Sequence, residues 1–172
     1  MLTIGNDSFF CTEEASVERT RHLLSHIDGL LTQNLPDPQL LDLLAWNAGP
    51  GSFTGLRIGA SIIQALAYSF KLPVQPLSSL EVLAYATLKH RESQSKASTM
   101  VAVAQDARMG GVYWAVFKIQ RDSLERLEPD QLLLVDRQSF SEMIDDDWLL
   151  VGDAWQLPEL KAMNQQYIQV DV

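Results

Sequence analysis

The chain has 172 residues, enough for one ample hydrophobic core or two small lobes, and its 47% hydrophobic and 20% charged residues exclude a disordered chain. Its formal charge is −9, and from Thr99 onward thirteen Asp and Glu, including the run Asp145-Asp146-Asp147, stand against six Lys and Arg. Nucleic-acid binding neutralises phosphates with basic side chains, so this is a poor autonomous nucleic-acid binder, and solubility is the simpler reading of its acidic character.

Met1 to Thr12 reads as two short strands around a turn at Gly5-Asn6-Asp7. From Val17 to Leu31 the period changes to that of a helix, with Val17, Leu24, Ile27 and Leu31 on one face and Leu23 and Leu30 widening it. Asn34 to Pro38 ends this helix in a loop. Leu40 to Ala45 is a nearly unbroken apolar run, the pattern of a strand covered on both faces. The loop Gly49-Pro50-Gly51-Ser52 leads into a second helix from Phe53 to Phe70, which Leu72-Pro73 stops. Val74 to Leu77 is a short strand. Ser78 and Glu81, at capping-box spacing, open a third helix.

The polar, serine-rich stretch from Lys89 to Ser98 is the expected lobe boundary, dividing the chain into residues 1–98 and 99–172. Beyond it, Met100 to Ala104 and Val112 to Ile119 pair around the turn Asp106-Ala107-Arg108-Met109-Gly110-Gly111. Leu132 to Val135 is a further strand, Ser139 to Ile144 a short helix, and Trp148 to Val151 a strand ending at Gly152. Strands alternate with helices in the first part and hairpins dominate the second, so the fold class is α/β. The single cysteine, Cys11, forms no internal disulfide and suits a reducing cytoplasm. No apolar run approaches the roughly 20 residues that cross a bilayer, and neither a membrane segment nor a signal peptide is expected.

Chemistry is most legible at Gly49-Pro50-Gly51-Ser52-Phe53-Thr54-Gly55-Leu56-Arg57-Ile58-Gly59. A strand, a glycine-rich turn and a helix N-terminus in succession can bind an anion, because unpaired backbone N–H groups gather there. The segment lacks the Gly-Lys-Ser/Thr of a P-loop and the glycine spacing of a dinucleotide fingerprint. The alternative needs no ligand. Gly55, Gly59, Ala60, Ala65 and Ala67 keep the helix thin enough for another backbone to approach, and packing is the favoured of the two readings.

Asp106 and Arg108 follow an apolar strand directly, where a carboxylate can serve as base or metal ligand. Stabilising a tight hairpin explains them at least as well. His22 and His26 have metal-ligand spacing, but no third ligand accompanies them and both lie off the apolar face, so no metal is expected. Ser52 lies outside a nucleophile elbow. Cys11 sits in a predicted strand rather than at a helix N-terminus, which argues against a reactive thiolate.

The stretch GPGSFTGLRIG from Gly49 to Gly59 resembles the signature of the bacterial dimerization subunit of the tRNA threonylcarbamoyladenosine machinery, the TsaB/YeaZ family of glycoprotease-like proteins. Asp106-Ala107-Arg108-Met109-Gly110, followed by Val112-Tyr113-Trp114, resembles a second block of that family. Weaker echoes are Glu18 with Thr20, Pro73 with Ser78-Ser79-Leu80, and Val151-Gly152-Asp153-Ala154-Trp155.

This resemblance implies an actin-like, sugar-kinase-like fold of two lobes and a non-catalytic scaffold or activator role. The partners implied are the catalytic paralogue, which modifies adenosine 37 of tRNAs reading codons that begin with adenine, a small ATPase subunit, and a second copy of the chain. Transfer RNA is contacted only indirectly. The implied partner interface lies on the first two helices, with Thr20, Leu23, Leu24, Ile27, Gly55, Gly59, Ala60 and Ile63 as its candidates. Gly49, Gly51, Ser52, Asp106 and Arg108 are the nucleotide or anion candidates. The expected cofactor is none, with ATP or ADP held weakly at a complex interface.

The family's opening strand ends Ile-Asp-Thr and supplies a phosphate-side carboxylate, whereas Asn6-Asp7 here matches the hairpin after it. A returning C-terminal helix has no counterpart after Val172, so the chain is expected to be shortened at both ends. Gly111 stands where a glutamate is common, and Arg19 where a histidine is frequent. An actin-like ATPase or phosphotransferase is the alternative function, and a peptidase the least supported.

Overall fold

The computed structural model describes residues 1–11, 22–35, 37–90, 98–121, 123–135, 137–145 and 147–168. By packing, the chain gathers into two units, Met1–Trp46 with Arg57–Gln75, and Asn47–Leu56 with Pro76–Val172.

The first unit begins with the hairpin of β1 (Leu2–Ile4) and β2 (Asp7–Phe9), where Leu2 faces Phe9 across the ladder and Gly5 turns the chain at φ 59°. Helix α1 is described over Leu23–Asn34, and residues 17–21 of the expected helix lie outside the described residues. Its C-terminal carbonyls are satisfied locally, Leu35 N–H donating to Leu31 O and the Asn34 amide to Leu30 O.

The expectation of a doubly covered strand over Leu40 to Ala45 does not hold. Pro38–Leu40 instead forms a 3-10 turn, capped by the Asp37 carboxylate accepting from Gln39 N–H at 2.9 Å. Leu40 and Leu43 are 62% and 50% exposed. The strand, β3, runs from Leu44 to Gly49 and among the described residues pairs only with β4 (Val74–Ser78), so an apolar run that reads as a central strand sits in a two-stranded sheet. Between them α2 spans Phe53–Phe70, the expected extent, and Leu72 and Pro73 follow its last turn.

The second unit is organised by a mixed sheet. Helix α3 (Ser79–His90) leads to β5 (Ser98–Arg108), which pairs antiparallel with β6 (Gly111–Gln120) over their whole length. Strands β7 (Ser123–Arg126) and β8 (Gln131–Leu134) both pair with β6, one at each end. After α4 (Arg137–Met143), β9 (Leu149–Val151) joins β5 in parallel, and β10 (Tyr167–Ile168) adds to β9.

The alternation of β5 and β6 separates two cores. Val101, Val103, Ala115, Phe117 and Ile119 face Leu80, Leu83 and Ala84 of α3. Ala102, Ala104, Val112, Trp114 and Val116 face Phe140 of α4 and Ala154, Trp155 and Leu160 beyond β9. Helix α3 precedes the polar stretch 89–98 yet packs on the strands after it, so the compact units do not divide at Ser98.

At the end of β9, Gly152 adopts φ 107°, and a Cβ there would lie 2.1 Å from the Ala104 carbonyl oxygen. Backbone of β5 thus occupies the space a side chain needs. Gly152→Ala is expected to destabilise the chain by about 3 kcal/mol or more, since neither the left-handed φ nor a backbone atom yields easily. Thermal unfolding followed by circular dichroism measures this, and a loss below about 1 kcal/mol would rule out the close approach.

Candidate functional site

The glycine-rich turn is held by its own short-range contacts. The Asn47 side-chain oxygen accepts from Gly49 N–H at 2.9 Å, fixing a bend in which Gly49 sits buried at φ 103°. The Gly49–Pro50 peptide is cis. The Ser79 hydroxyl donates to the Pro50 carbonyl, which ties the turn to the start of α3. Gly51 and Ser52 are exposed. Ser52 caps α2 in two ways: its carbonyl accepts the first helical bond from Leu56 N–H at 2.8 Å, and its Oγ accepts from Gly55 N–H at 3.4 Å. A hydroxyl used as a cap is not poised as a nucleophile. The two histidines whose side chains are described, His22 and His26, lie elsewhere, at the start of α1.

Asp106 and Arg108 lie at the tip of the β5–β6 hairpin, and the structure brings them together. Arg108 N–H donates to Asp106 Oδ1 at 2.7 Å, while the Arg108 guanidinium reaches Asp106 Oδ2 at 3.3 Å. The ladder slips by one residue between them, leaving Ala107 as a bulge. Arg108, Met109 and Gly110 then take positive φ values of 67°, 53° and 75°, which closes a tight primed-type turn. The Arg108 side chain is 86% exposed, and an exposed ion pair of this kind contributes little to stability. A third carboxylate, Asp153, accepts from Asp106 N–H at 2.8 Å and locks the strand end to the segment after β9. The sequence reading did not single out Asp153 by itself. Its signal was the Gly-Asp pair directly after a strand, where the glycine allows close approach and the carboxylate meets a backbone donor.

The interface candidates lie on two helices in which, among the described residues, no side chain is buried. On α1, Leu23 and Leu24 are exposed and Ile27 is half-buried, while Thr20 lies outside the described residues. On α2, Gly55 is exposed, and a Cβ there would meet only atoms of Ser52, at 3.5 Å or more. Gly59 is half-buried beneath the Trp46 ring, and a Cβ there would lie 3.6 Å from the ring. Ala60 and Ile63 are half-buried. The His22 and His26 rings are 6.5 Å apart, and among the described residues no three His, Cys, Asp or Glu gather as a metal site.

A family model described as tRNA N6-adenosine threonylcarbamoyltransferase, TsaD, matches residues 11–168. The tRNA threonylcarbamoyladenosine biosynthesis protein TsaB of Escherichia coli K12 is 33% identical over 141 residues, covering 81% of this chain and 59% of that protein. The TsaB of Haemophilus influenzae is 32% identical, covering 83% and 61%. YeaZ from Pseudomonas aeruginosa superposes with a TM-score of 0.68 at 28% identity, covering 93% of this chain and 71% of that one. This chain belongs to the TsaB/YeaZ family. Its fold is the actin-like α/β fold of YeaZ, and it spans about three fifths of the length of these two curated relatives.

The blocks that resemble the TsaB/YeaZ pattern are thus the cap of α2, the β5–β6 hairpin tip and the end of β9. The last two are joined by the Asp153–Asp106 hydrogen bond and the approach of Gly152 to Ala104. If Ser52 is a cap, Ser52→Ala should cost about 0.5–1 kcal/mol and Ser52→Asp should restore it. Denaturant unfolding of the three proteins decides this, and equal midpoints would remove the capping role.

Proposed function

We propose that this chain is a non-catalytic assembly subunit in the formation of N6-threonylcarbamoyladenosine at position 37 of tRNAs reading codons that begin with adenine. Its main partner in this reading is the catalytic paralogue, with a small ATPase subunit joining the pair, and a second copy of the chain takes the paralogue's place when the paralogue is absent. Transfer RNA is reached through the partners, in keeping with a net charge of −9. The site of action is the cytoplasm. Family membership supports the pathway. The observation that carries the scaffold role is the state of α1 and α2, two amphipathic helices without a buried residue, one of them kept thin by Gly55, Gly59 and Ala60.

The arrangement of the polar residues supports the same reading. Asp106 and Arg108 are paired with each other, and Ser52 is occupied as a cap. Gly55→Leu should abolish pairing with the catalytic paralogue while leaving the subunit folded, because an added Cβ meets only Ser52 atoms at ordinary contact distance and Gly55 is exposed. Light scattering on a sizing column, of variant and parent each mixed with the paralogue, reads this directly. Normal pairing by the variant would place the interface elsewhere.

The second reading, an actin-like ATPase or phosphotransferase, is favoured by the glycine-rich turn at a helix N-terminus. It predicts stabilisation by ATP and magnesium of about 2.7 kcal/mol at a hundred times the dissociation constant. The scaffold reading, in which the chain has no cofactor of its own and nucleotide is held only weakly at a complex interface, predicts no melting shift for the isolated subunit. A shift of several degrees would favour the phosphotransferase.

A further inference from the structure

Packing is distributed very unevenly between the two units. Among the described residues, Leu2 and Leu35 are the only buried hydrophobic side chains of the first unit, and every other one lies in the second. The first unit's hairpin has strands of three residues. A two-stranded hairpin is marginal in water unless tertiary packing supports it. That support is thin here. Leu24 is 58%, Leu40 62%, Leu43 50% and Tyr68 88% exposed. An open surface cleft of about 290 Å³, its wall as polar as apolar, lies among Thr3, Ile4, Leu35, Leu40, Asp42 and Leu43. In the second unit the two faces of β5 and β6 are closed instead, with Val101, Val103, Trp114, Phe117 and Trp155 fully buried.

We infer that the first unit is only conditionally ordered in the isolated subunit, and that pairing through α1 and α2 completes its packing. The inference rests on the scaffold reading for the identity of the partner, the catalytic paralogue. The uneven burial itself depends on no partner. Local opening then costs far less free energy in α1 and α2 than in β5 and β6. Only the fraction of subunits with an ordered first unit is competent to pair, so the apparent affinity falls by that fraction. Folding and assembly are coupled, and a subunit without its partner exposes the apolar faces of both helices.

Hydrogen exchange with mass spectrometry on the full chain, alone and with excess catalytic paralogue, tests this, with a sizing column run on the same mixture. In the isolated chain, amides of α1 and α2 should exchange at least about a hundredfold faster than those of β5 and β6. With the paralogue they should slow by about tenfold or more, while β5 and β6 stay unchanged. Exchange in α1 and α2 as slow as in β5 and β6 in the isolated chain would overturn the inference and leave the pairing reading intact. Fast exchange that persists when the column shows a complex would overturn the coupling and place the contact on other elements. Absence of any complex on the column would instead overturn the pairing reading, and the coupling with it.

Discussion

The antiparallel pairing of β5 with β6 is the interaction on which the rest of the second unit depends. The two strands are eleven and ten residues long and pair from Ser98↔Gln120 to Arg108↔Gly111. Both faces are apolar, so the pair needs a cover on each side. Helix α3 supplies one cover. The other is an aromatic cluster in which Trp114, Phe140 and Trp155 meet edge to face, with centroids 5.3 to 6.2 Å apart. Each buried indole N–H has a partner, Trp114 donating to Glu128 Oε2 and Trp155 to Val151 O. Arg126 on β7 lies over the Phe117 ring at 4.9 Å and pairs with Glu81 of α3 and with Asp130. Burial alone would lower its pKa, but the hydrogen bonds to Asp130 and Glu81 outweigh that and hold it above the ordinary value. The guanidinium therefore joins the covering helix to the outer strand as a permanent cation.

From this pair the motif residues take their places. The bulge at Ala107 and the turn over Arg108, Met109 and Gly110 exist because β5 and β6 must be joined by a two-residue loop of the right twist. Parallel β9 brings Gly152 against Ala104, and the next residue, Asp153, is then in reach of Asp106 N–H. Two sequence blocks separated by more than forty residues are in this way parts of one structural joint. Their polar atoms are engaged with backbone and with each other, so the joint is better suited to holding a shape than to chemistry.

Strands β5 and β6 were legible because the near-continuous apolar runs Met100–Ala104 and Val112–Phe117 flank a glycine-containing turn, and α2 because a glycine-rich turn opens it and Leu72-Pro73 closes it. The capping of α3 by Ser78, whose Oγ accepts from Glu81 N–H at 3.2 Å, was equally plain. Strand β7 was not, because Ser123-Leu-Glu-Arg126 has one apolar residue and owes its strand form to the edge of β6. The parallel joining of β9 to β5 is a long-range choice that local pattern does not encode. Leu40 to Ala45 misled because an apolar run states a demand for burial, and here Asp37-Pro38 turns the chain before the strand begins. At the candidate site, the hairpin role of Asp106 and Arg108 was one of two readings their residue types left open, whereas Asp153 required the tertiary fold.

The glycine-rich turn has a use that involves no nucleotide. Asn47, Ser52 and Ser79 fix its backbone, and through it the first turn of α2, within the packed second unit. The remainder of α2, from Arg57 onward, belongs to the first unit, where among the described residues the buried hydrophobic side chains are Leu2 and Leu35. Gly49 serves that anchoring through its positive φ, and Gly55 and Gly59 serve it by keeping the helix thin where Trp46 lies close to Gly59. The same segment that resembles an anion cradle is thus accounted for, without a ligand, as the anchor of the first turn of α2.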